Sequence, residues 1–209
     1  MVLIDVIIEA GGLMRRLSII IHSVSGNIYI LGSYLKEKLQ EQGIDARLYR
    51  VEDQDLHIWA NKQDSANDYL EDILALPLAS TQTLKKSDMV ILGSPTRFGN
   101  MTAEMKAFLD TTFELSEDRS LAGTLFGCFT SCVHSVCEGS HALDSMLYWA
   151  QNMGMIHIPY GVHQELHLRN QPITGIVHLE GKDCNLIRPS GDLEPVLDAY
   201  IDTVVSYLT

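Results

Sequence analysis

The sequence predicts an α/β fold in which one parallel sheet lies between two layers of helices. Short apolar runs alternate along the chain with amphipathic segments of helical period, as in successive strand–helix–strand units. Polar loops follow three of the apolar runs, and in open parallel sheets such loops form the ligand crevice. The 209 residues contain no internal repeat and no linker, so one domain is expected.

Five buried strands are predicted from apolar runs that end at turn residues. The third is expected to stop before Gly93-Ser94-Pro95, because proline cannot donate to a strand ladder. Five strands with four crossovers fit the sheet order 2-1-3-4-5. The strands are 17–21, 46–51, 89–92, 124–130 and 155–159, and the helices are 27–42, segments near 65–75 and 80–87, one after residue 100, 140–152 and 193–208.

Composition restricts the kinds of partner. The net charge of −12 argues against a nucleic-acid surface, which needs clustered lysine and arginine. No Cys-x-x-Cys pair occurs, so the cysteines are interpreted as free thiols in a reducing cytoplasm. They are Cys128, Cys132, Cys137 and Cys184.

The first 13 residues are interpreted as an N-terminal extension or as upstream sequence from a misplaced start. They are apolar, but they lack the basic start of a signal peptide and are too short to span a bilayer. The core domain is therefore expected to cover residues 14–209, without an integral membrane segment.

The loop from Ser94 to Asn100 is the most informative stretch. Pro95 and Gly99 are expected to impose an unusual backbone path. Arg97 brings five hydrogen-bond donors and Phe98 a flat apolar face. The loop is therefore predicted to hold a planar ligand with polar edges.

The loop after the first strand is predicted to bind an anion. It lies before a helix N-terminus, where free N–H groups and the helix dipole attract negative charge. Ser23 and Ser25 add hydroxyls, Gly26 permits close approach, and Asn27 can cap or donate. A plain Ser/Asn cap of a buried helix is the alternative. The loop contains no lysine or arginine, so it is not a nucleoside-triphosphate loop.

The loop after the fourth strand, 130–139, contains cysteine and histidine at Cys132, His134 and Cys137. A metal site is not predicted, because Cys-x-His-x-x-Cys lacks a second ligand pair at zinc-binding spacing. His163 and His167 are also not assigned to a metal, since a loop is expected there.

The motif Ser-Pro-Thr-Arg-Phe-Gly-Asn-Met-Thr, followed by Met-Lys-Ala-Phe-Leu-Asp-Thr-Thr, resembles the flavin loop of the tryptophan-repressor-binding-protein type NAD(P)H:quinone oxidoreductases. The resemblance continues more weakly over residues 17–209. It implies a flavodoxin-like three-layer α/β/α fold, FMN as cofactor, NADH or NADPH as donor and a quinone as acceptor. It also implies a homodimer or homotetramer whose neighbouring subunit lines the flavin pocket, near Leu115, Leu121, Tyr148 and Trp149.

The resemblance assigns the site residues in three groups. The phosphate would be held by Ser23, Ser25, Gly26, Asn27 and Ile28. The ring and ribityl chain would contact Pro95, Thr96, Arg97, Phe98, Gly99 and Asn100. The other side would be closed by Ser131, Cys132 and His134, and His134 is the candidate catalytic side chain.

Two departures from the family pattern leave alternatives open. Ile28 replaces the last hydroxyl of the flavodoxin phosphate loop, and the third loop lacks most of the family's glycines. The family's tryptophan beside the flavin has no clear counterpart, and Phe113 is the nearest aromatic residue. The alternatives are a flavodoxin-type electron carrier, which the acidic surface favours, and a binding protein on this fold that has lost FMN.

Overall fold

The computed structural model describes residues 15–60, 62, 68–162, 165, 170–180, 189 and 193–209. The predictions for residues 1–13, Cys184, His163 and His167 lie outside these residues. The strands are β1 (Arg16–Ile21), β2 (Asp45–Arg50), β3 (Met89–Pro95), β4 (Leu125–Cys132), β5 (Ile156–His157) and β6 (Ile176–Leu179). The helices are α1 (Asn27–Glu41), α2 (Leu56–Ala60), α3 (Leu70–Ala75), α4 (Thr81–Lys85), α5 (Ala103–Asp110), α6 (Glu114–Glu117), α7 (Val136–Asn152) and α8 (Glu194–Leu208).

The strands form one parallel sheet in the order β2-β1-β3-β4-β5, which confirms the predicted order. The position beside β4 is shared by two short strands. β5 pairs with the start of β4, and β6 pairs with Phe129 to Cys132 at its end. The predicted strand 155–159 is therefore only two residues long, and β6 was not predicted. Pro159 has no N–H to continue the ladder, so the chain leaves the sheet and returns at Ile176.

Two hydrophobic cores lie on opposite faces of the sheet. On one face α1 packs beside α8, and Leu31 and Leu35 of α1 are fully buried there. Tyr34 of α1 donates a hydrogen bond of 2.7 Å from its hydroxyl to Asp198 Oδ1 of α8. On the other face α5 and α7 cover the sheet with Met105 and Met146, among other side chains. The sheet between these two helical layers forms the predicted three-layer α/β/α arrangement.

β3 and β4 run further than their apolar patterns indicate. The prediction that β3 ends before Gly93 is wrong, since the strand continues to Pro95, which pairs with Ser131. Only glycine fits at position 93 of the strand, because a Cβ there would lie 2.3 Å from Cζ of Phe129. α7 also begins at Val136, four residues before its predicted start. The third loop therefore shrinks to residues 133–135.

Two more structural findings concern the segments outside the sheet. α2 was not predicted, because residues 52–87 are largely polar and show no clear period. Across the described part of the chain, no helix has the length and apolar character needed to cross a bilayer.

Candidate active site

A cleft of about 860 Å³ opens at the carboxyl ends of β1, β2 and β3. This is the edge where ligands bind in open parallel sheets. Its walls come from the segments after β1, β2 and β3 and from the start of α5. They include His22, Val24, Asp53, Trp59, Lys62, Arg97, Phe98, Asn100, Met101, Thr102, Ala103, Glu104, Lys106 and Ser145.

The tip of the loop after β3 is a tight turn over residues 97–100. The N–H of Arg97 donates to the carbonyl of Asn100 at 2.8 Å, and the reverse bond is 3.0 Å. Phe98 has a φ of 51° and Gly99 a φ of 72°, the signs that a type I′ turn requires. The unusual backbone path expected from Gly99 is therefore present, and Phe98 shares it.

Phe98 combines a strained backbone with a fully exposed ring. A left-handed conformation costs an L-residue roughly 1–2 kcal/mol, and only glycine, asparagine and aspartate adopt it readily. The ring has a relative exposure of 103%, so no contact within the described protein offsets this cost. Such outliers cluster where a site holds a ligand.

The turn rests on a buried hydroxyl network, which makes it rigid. Thr96 Oγ1 lies 2.8 Å from Thr130 Oγ1, and the Thr130 hydroxyl donates to the Ser94 carbonyl at 2.7 Å. Ser94 Oγ accepts from the Thr102 N–H at 3.0 Å, and Asn100 Oδ1 accepts from the Met101 N–H at 2.8 Å. Thr96 is thus a buried support for the turn, whereas Arg97, Phe98 and Asn100 face the cleft.

The loop before α1 has the backbone of an anion site. Gly26 is the residue before the helix, with a φ of 92° and no side-chain cap. Ser23 is buried, and its hydroxyl accepts from the Tyr29 N–H at 3.2 Å, so it caps the first turn from within. Ile28 is also buried and packs into the core beside α8. Only its backbone amide is available to an anion at the helix end.

Ser25 and Asn27 provide the polar side chains of this loop. Asn27 Nδ2 lies 3.4 Å from Ser25 Oγ, and Asn27 Oδ1 is buried without a hydrogen-bond partner among the described residues. Rotating the carboxamide by 180° would let Ser25 donate to its oxygen and free its NH₂ for an anion. Tyr69 covers the loop closely, since a Cβ on Gly26 would lie 2.2 Å from its Cδ2. Neutral donors and the remaining free backbone N–H groups at this helix N-terminus fit a phosphate monoester.

The end of β4 and the loop after it hold the remaining predicted residues, but they do not line the cleft. Ser131 is buried and donates to Glu180 Oε1 at 3.0 Å, and therefore accepts from the Nδ1–H of His178 at 3.1 Å. Cys132 is buried, and burial raises the pKa of its thiol. His134 is exposed and pairs with Glu138 at 3.2 Å.

Sequence reasoning missed several side chains of this region. Trp59 of α2 lines the cleft half-exposed, with Lys62 Nζ 4.3 Å from its ring centroid. A lone tryptophan in a polar stretch was the available signal. His178 and Glu180 were missed because β6 was not predicted.

His22, Asp53 and Glu104 form a cluster of titratable groups inside the cleft. His22 Nε2 lies 3.0 Å from Asp53 Oδ2, and His22 Nδ1 lies 3.9 Å from Glu104 Oε2. The hydrogen bond from His22 holds the pKa of Asp53 below its usual value. His22 and Asp53 each follow a strand that ends at this edge, which is a signal that the sequence offers.

The residues expected at a subunit edge behave differently from one another. Leu115 and Leu121 are buried in the core of the chain itself, so the expectation that they lie at an interface is wrong. Trp149 is half-buried and donates from Nε1 to Thr112 Oγ1 at 3.0 Å. Tyr148 and Phe113 are exposed at 65% and 68%.

Known proteins resemble this chain in sequence and in fold. An NAD(P)H dehydrogenase (quinone) of Archaeoglobus fulgidus is 32% identical over 118 residues, or 56% of this chain, and the match spans only 62% of that protein. An NAD(P)H dehydrogenase (quinone) of Aromatoleum aromaticum is 30% identical over 148 residues, or 69% of this chain and 71% of that protein.

A solved structure of a flavodoxin, WrbA-like protein from Agrobacterium tumefaciens has a TM-score of 0.63 at 16% identity. The alignment covers 93% of this chain and 97% of that one, so the fold is flavodoxin-like. The model of the family described as NADPH-dependent FMN reductase matches residues 16–164, well over half of the chain. The protein therefore belongs to the NADPH-dependent FMN reductase family.

Proposed function

We propose that this protein is an FMN-dependent oxidoreductase that passes two electrons from NADH or NADPH to a quinone. The family membership supports the cofactor and the donor, and the names of the two relatives support the acceptor class. The observation that carries the proposal is the exposed Phe98 ring, held by a strained turn next to Arg97 at the mouth of a ligand-sized cleft.

The two loops would divide the binding of FMN between them. The N-terminus of α1, with Ser25, Gly26 and Asn27, would bind the phosphate. Phe98 would lie against the ring, and Arg97 would donate to polar atoms at its edge. Bound FMN supplies the hydride chemistry, while the protein supplies position and electrostatics. Pro95, Thr96 and Gly99 would act through the shape of the turn.

The remainder of the cleft would hold the electron acceptor. Trp59 gives it an aromatic surface, and Lys62 beside that ring adds a positive charge although the whole chain is acidic. A flat acceptor with carbonyl oxygens, such as a quinone, matches these contacts. Trp59 is an aromatic residue in the cleft that the sequence comparison with the family did not bring out.

Assembly and location are part of the same proposal. We expect a homodimer or homotetramer, because Phe113 and Tyr148 leave apolar rings exposed beyond the cleft. A cytoplasmic location is supported by the described cysteines, Cys128, Cys132 and Cys137, which are free thiols. Light scattering that returned 23.3 kDa at micromolar concentration would rule out the oligomer.

An absorbance spectrum and a turnover assay test the proposal. Purified protein incubated with FMN and desalted should keep flavin bands, and it should oxidise NADH or NADPH when benzoquinone is present. Protein that keeps no flavin would support a fold that has lost FMN. Protein that keeps flavin but is not reduced by NADH or NADPH would support the electron-carrier alternative, which the charge of −12 favours.

A further inference from the structure

His22 is a buried histidine with one ring nitrogen bonded and the other unpartnered. Its side chain is 4% exposed and lines the cleft beside Arg97 and Phe98. Nε2 bonds to Asp53, whereas Nδ1 has no hydrogen-bond partner among the described residues. A buried polar atom without a partner is costly, so such atoms are rare unless a ligand or water completes them. Nδ1 is therefore placed to meet a molecule bound in the cleft.

Asp53 determines which ring nitrogen of His22 carries the hydrogen in the neutral form. Its Oδ2 accepts from His22, and its Oδ1 accepts from the Asp55 N–H at 2.9 Å. These bonds favour the ionised carboxylate, and an ionised carboxylate only accepts hydrogen bonds. Nε2 of His22 must then carry a hydrogen, and Nδ1 is the nitrogen that gains or loses a proton. The pair has the arrangement of a histidine oriented for acid–base work.

The surrounding charges favour a proton at this position over a metal ion. One atom each of His22, Asp53 and Glu104 lie within 4.8 Å of one another, a set that could hold a divalent cation. However, the direct His22–Asp53 bond already occupies Nε2 of the ring and Oδ2 of the carboxylate, so only Nδ1 of His22 remains to bind a cation. Lys62 and Arg97 line the same cleft and their positive charges oppose a further cation, whereas Lys106 is paired with Asp110.

Glu104 connects the buried ring to solvent. Its side chain is 31% exposed, and its Oε2 lies 3.9 Å from Nδ1 of His22. A carboxylate at this distance can pass protons from bulk water to Nδ1 through one bridging water. The cleft therefore contains a path for renewing the proton after each turnover.

We propose that His22, oriented by Asp53, is the catalytic acid that protonates a quinone as it is reduced in the cleft. Reduction of a quinone to a hydroquinone requires two electrons and two protons. The hydride from the donor brings both electrons and one proton, so the second proton must come from an acid. In this step the Nδ1–H bond of the His22 imidazolium breaks and a bond from hydrogen to the quinone oxygen forms. The neutral ring keeps its Nε2 hydrogen on Asp53 and regains a proton by way of Glu104.

This inference rests on the proposed function, and a pair of acceptors separates the two. Quinone reduction needs the proton from His22, whereas ferricyanide accepts single electrons and takes up no proton. In the full chain loaded with FMN, we expect His22→Gln to lower quinone turnover about 100-fold, the lower end of general acid catalysis. Reduction of ferricyanide by NADH or NADPH requires no proton from His22, so it should fall far less than quinone turnover.

The matched control is His157→Gln. His157 lies outside the cleft, and its ring bonds to the Thr174 carbonyl at 2.8 Å, a contact that glutamine can keep. This variant should reduce both acceptors at the wild-type rate. An equal loss on both acceptors in His22→Gln, or no loss with quinone, would overturn the role of His22. Wild-type protein that binds no flavin, or reduces neither acceptor, would refute the proposed function, and this inference with it.

Nitrogen-15 NMR of the histidine rings gives a readout that does not depend on activity, and its wild-type part needs no variant. In the wild-type chain without FMN, neutral His22 should carry its hydrogen on Nε2. Asp53→Ala should let the hydrogen distribute over both nitrogens. A hydrogen fixed on Nδ1 in the wild type would contradict the assignment. Loss of the His22 signal on adding micromolar Mn²⁺ would show that this cluster binds a metal ion, and would overturn its role as an acid.

Discussion

Replacing Phe98 with asparagine should stabilise the fold and weaken the site at the same time. The left-handed backbone costs a phenylalanine roughly 1–2 kcal/mol, and asparagine tolerates this conformation much better. Because the ring is fully exposed, its removal loses no packing within the described protein. A gain of about 1 kcal/mol would raise the melting midpoint of a chain of this size by about 2–4 °C.

The expected loss of FMN affinity in Phe98→Asn follows from the free energy of one stacked aromatic contact. A stacked aromatic pair contributes about 0.5–1.5 kcal/mol, so FMN should bind about 2- to 12-fold more weakly. Thermal melts without FMN and fluorescence titrations with FMN measure the two effects separately.

Arg119 offers a matched control because it is the other described non-glycine residue with a positive φ, at 54°. It is exposed and does not line the cleft. Arg119→Asn should raise the melting midpoint by a similar amount and leave FMN binding unchanged. The reasoning is refuted if Arg119→Asn stabilises the protein but Phe98→Asn does not. It is also refuted if FMN binds Phe98→Asn as tightly as the wild type.

Three further changes test other parts of the structure. Ser25→Asp should weaken FMN binding about 100-fold or more, because like charges ~4 Å apart repel by on the order of 4 kcal/mol. The melting midpoint of the FMN-free protein should not change. Unchanged FMN affinity would place the phosphate elsewhere. Asp53→Asn should destabilise the chain at pH 7, and the difference from wild type in urea unfolding should shrink as the pH falls below about 4. The bond from His22 lowers the pKa of Asp53 in the folded state, so the ionised Asp53 stabilises the fold fully above the pKa of the unfolded chain. This stabilisation is lost as the pH falls through the pKa of the folded state. A stability difference that is independent of pH would count against this bond. Gly93→Ala should lower the free energy of unfolding by about 1–3 kcal/mol, because the new methyl group meets the Phe129 ring; a wild-type melt would show that the ring moves freely.

The framework of the fold could be predicted because it depends on local patterns. β1, β3 and β4 are rich in apolar residues, β2 alternates buried and more exposed residues over 46–48, and α1 and α8 repeat their buried side chains with helical period. Parallel pairing then follows from the alternation of strands and helices. The limits of these elements were less predictable. β3 continues through Gly93 by pairing with β4, and the glycine there leaves room for the Phe129 ring, a contact that no local pattern encodes.

The candidate site could be predicted where a single loop builds it, and not where distant segments meet. The Arg97–Asn100 turn is one contiguous motif, and its glycine signalled the turn. Ser131 instead depends on His178 and Glu180, 47 and 49 residues later, on a strand too short to show a pattern. His22 and Asp53 are 31 residues apart in the sequence. They come within hydrogen-bond distance only because β1 and β2 are neighbouring strands.

The pairing of α1 with α8 has a consequence for synthesis of the protein on the ribosome. Tyr34 and its partner Asp198 are 164 residues apart, a stretch that takes roughly 8–33 s to translate at 5–20 residues per second. Throughout that time the side of α1 that carries Leu31 and Leu35 lacks its neighbour in the layer. A nascent chain halted before residue 194 would present this apolar stripe to chaperones, so maturation of this face is completed only after α8 has emerged.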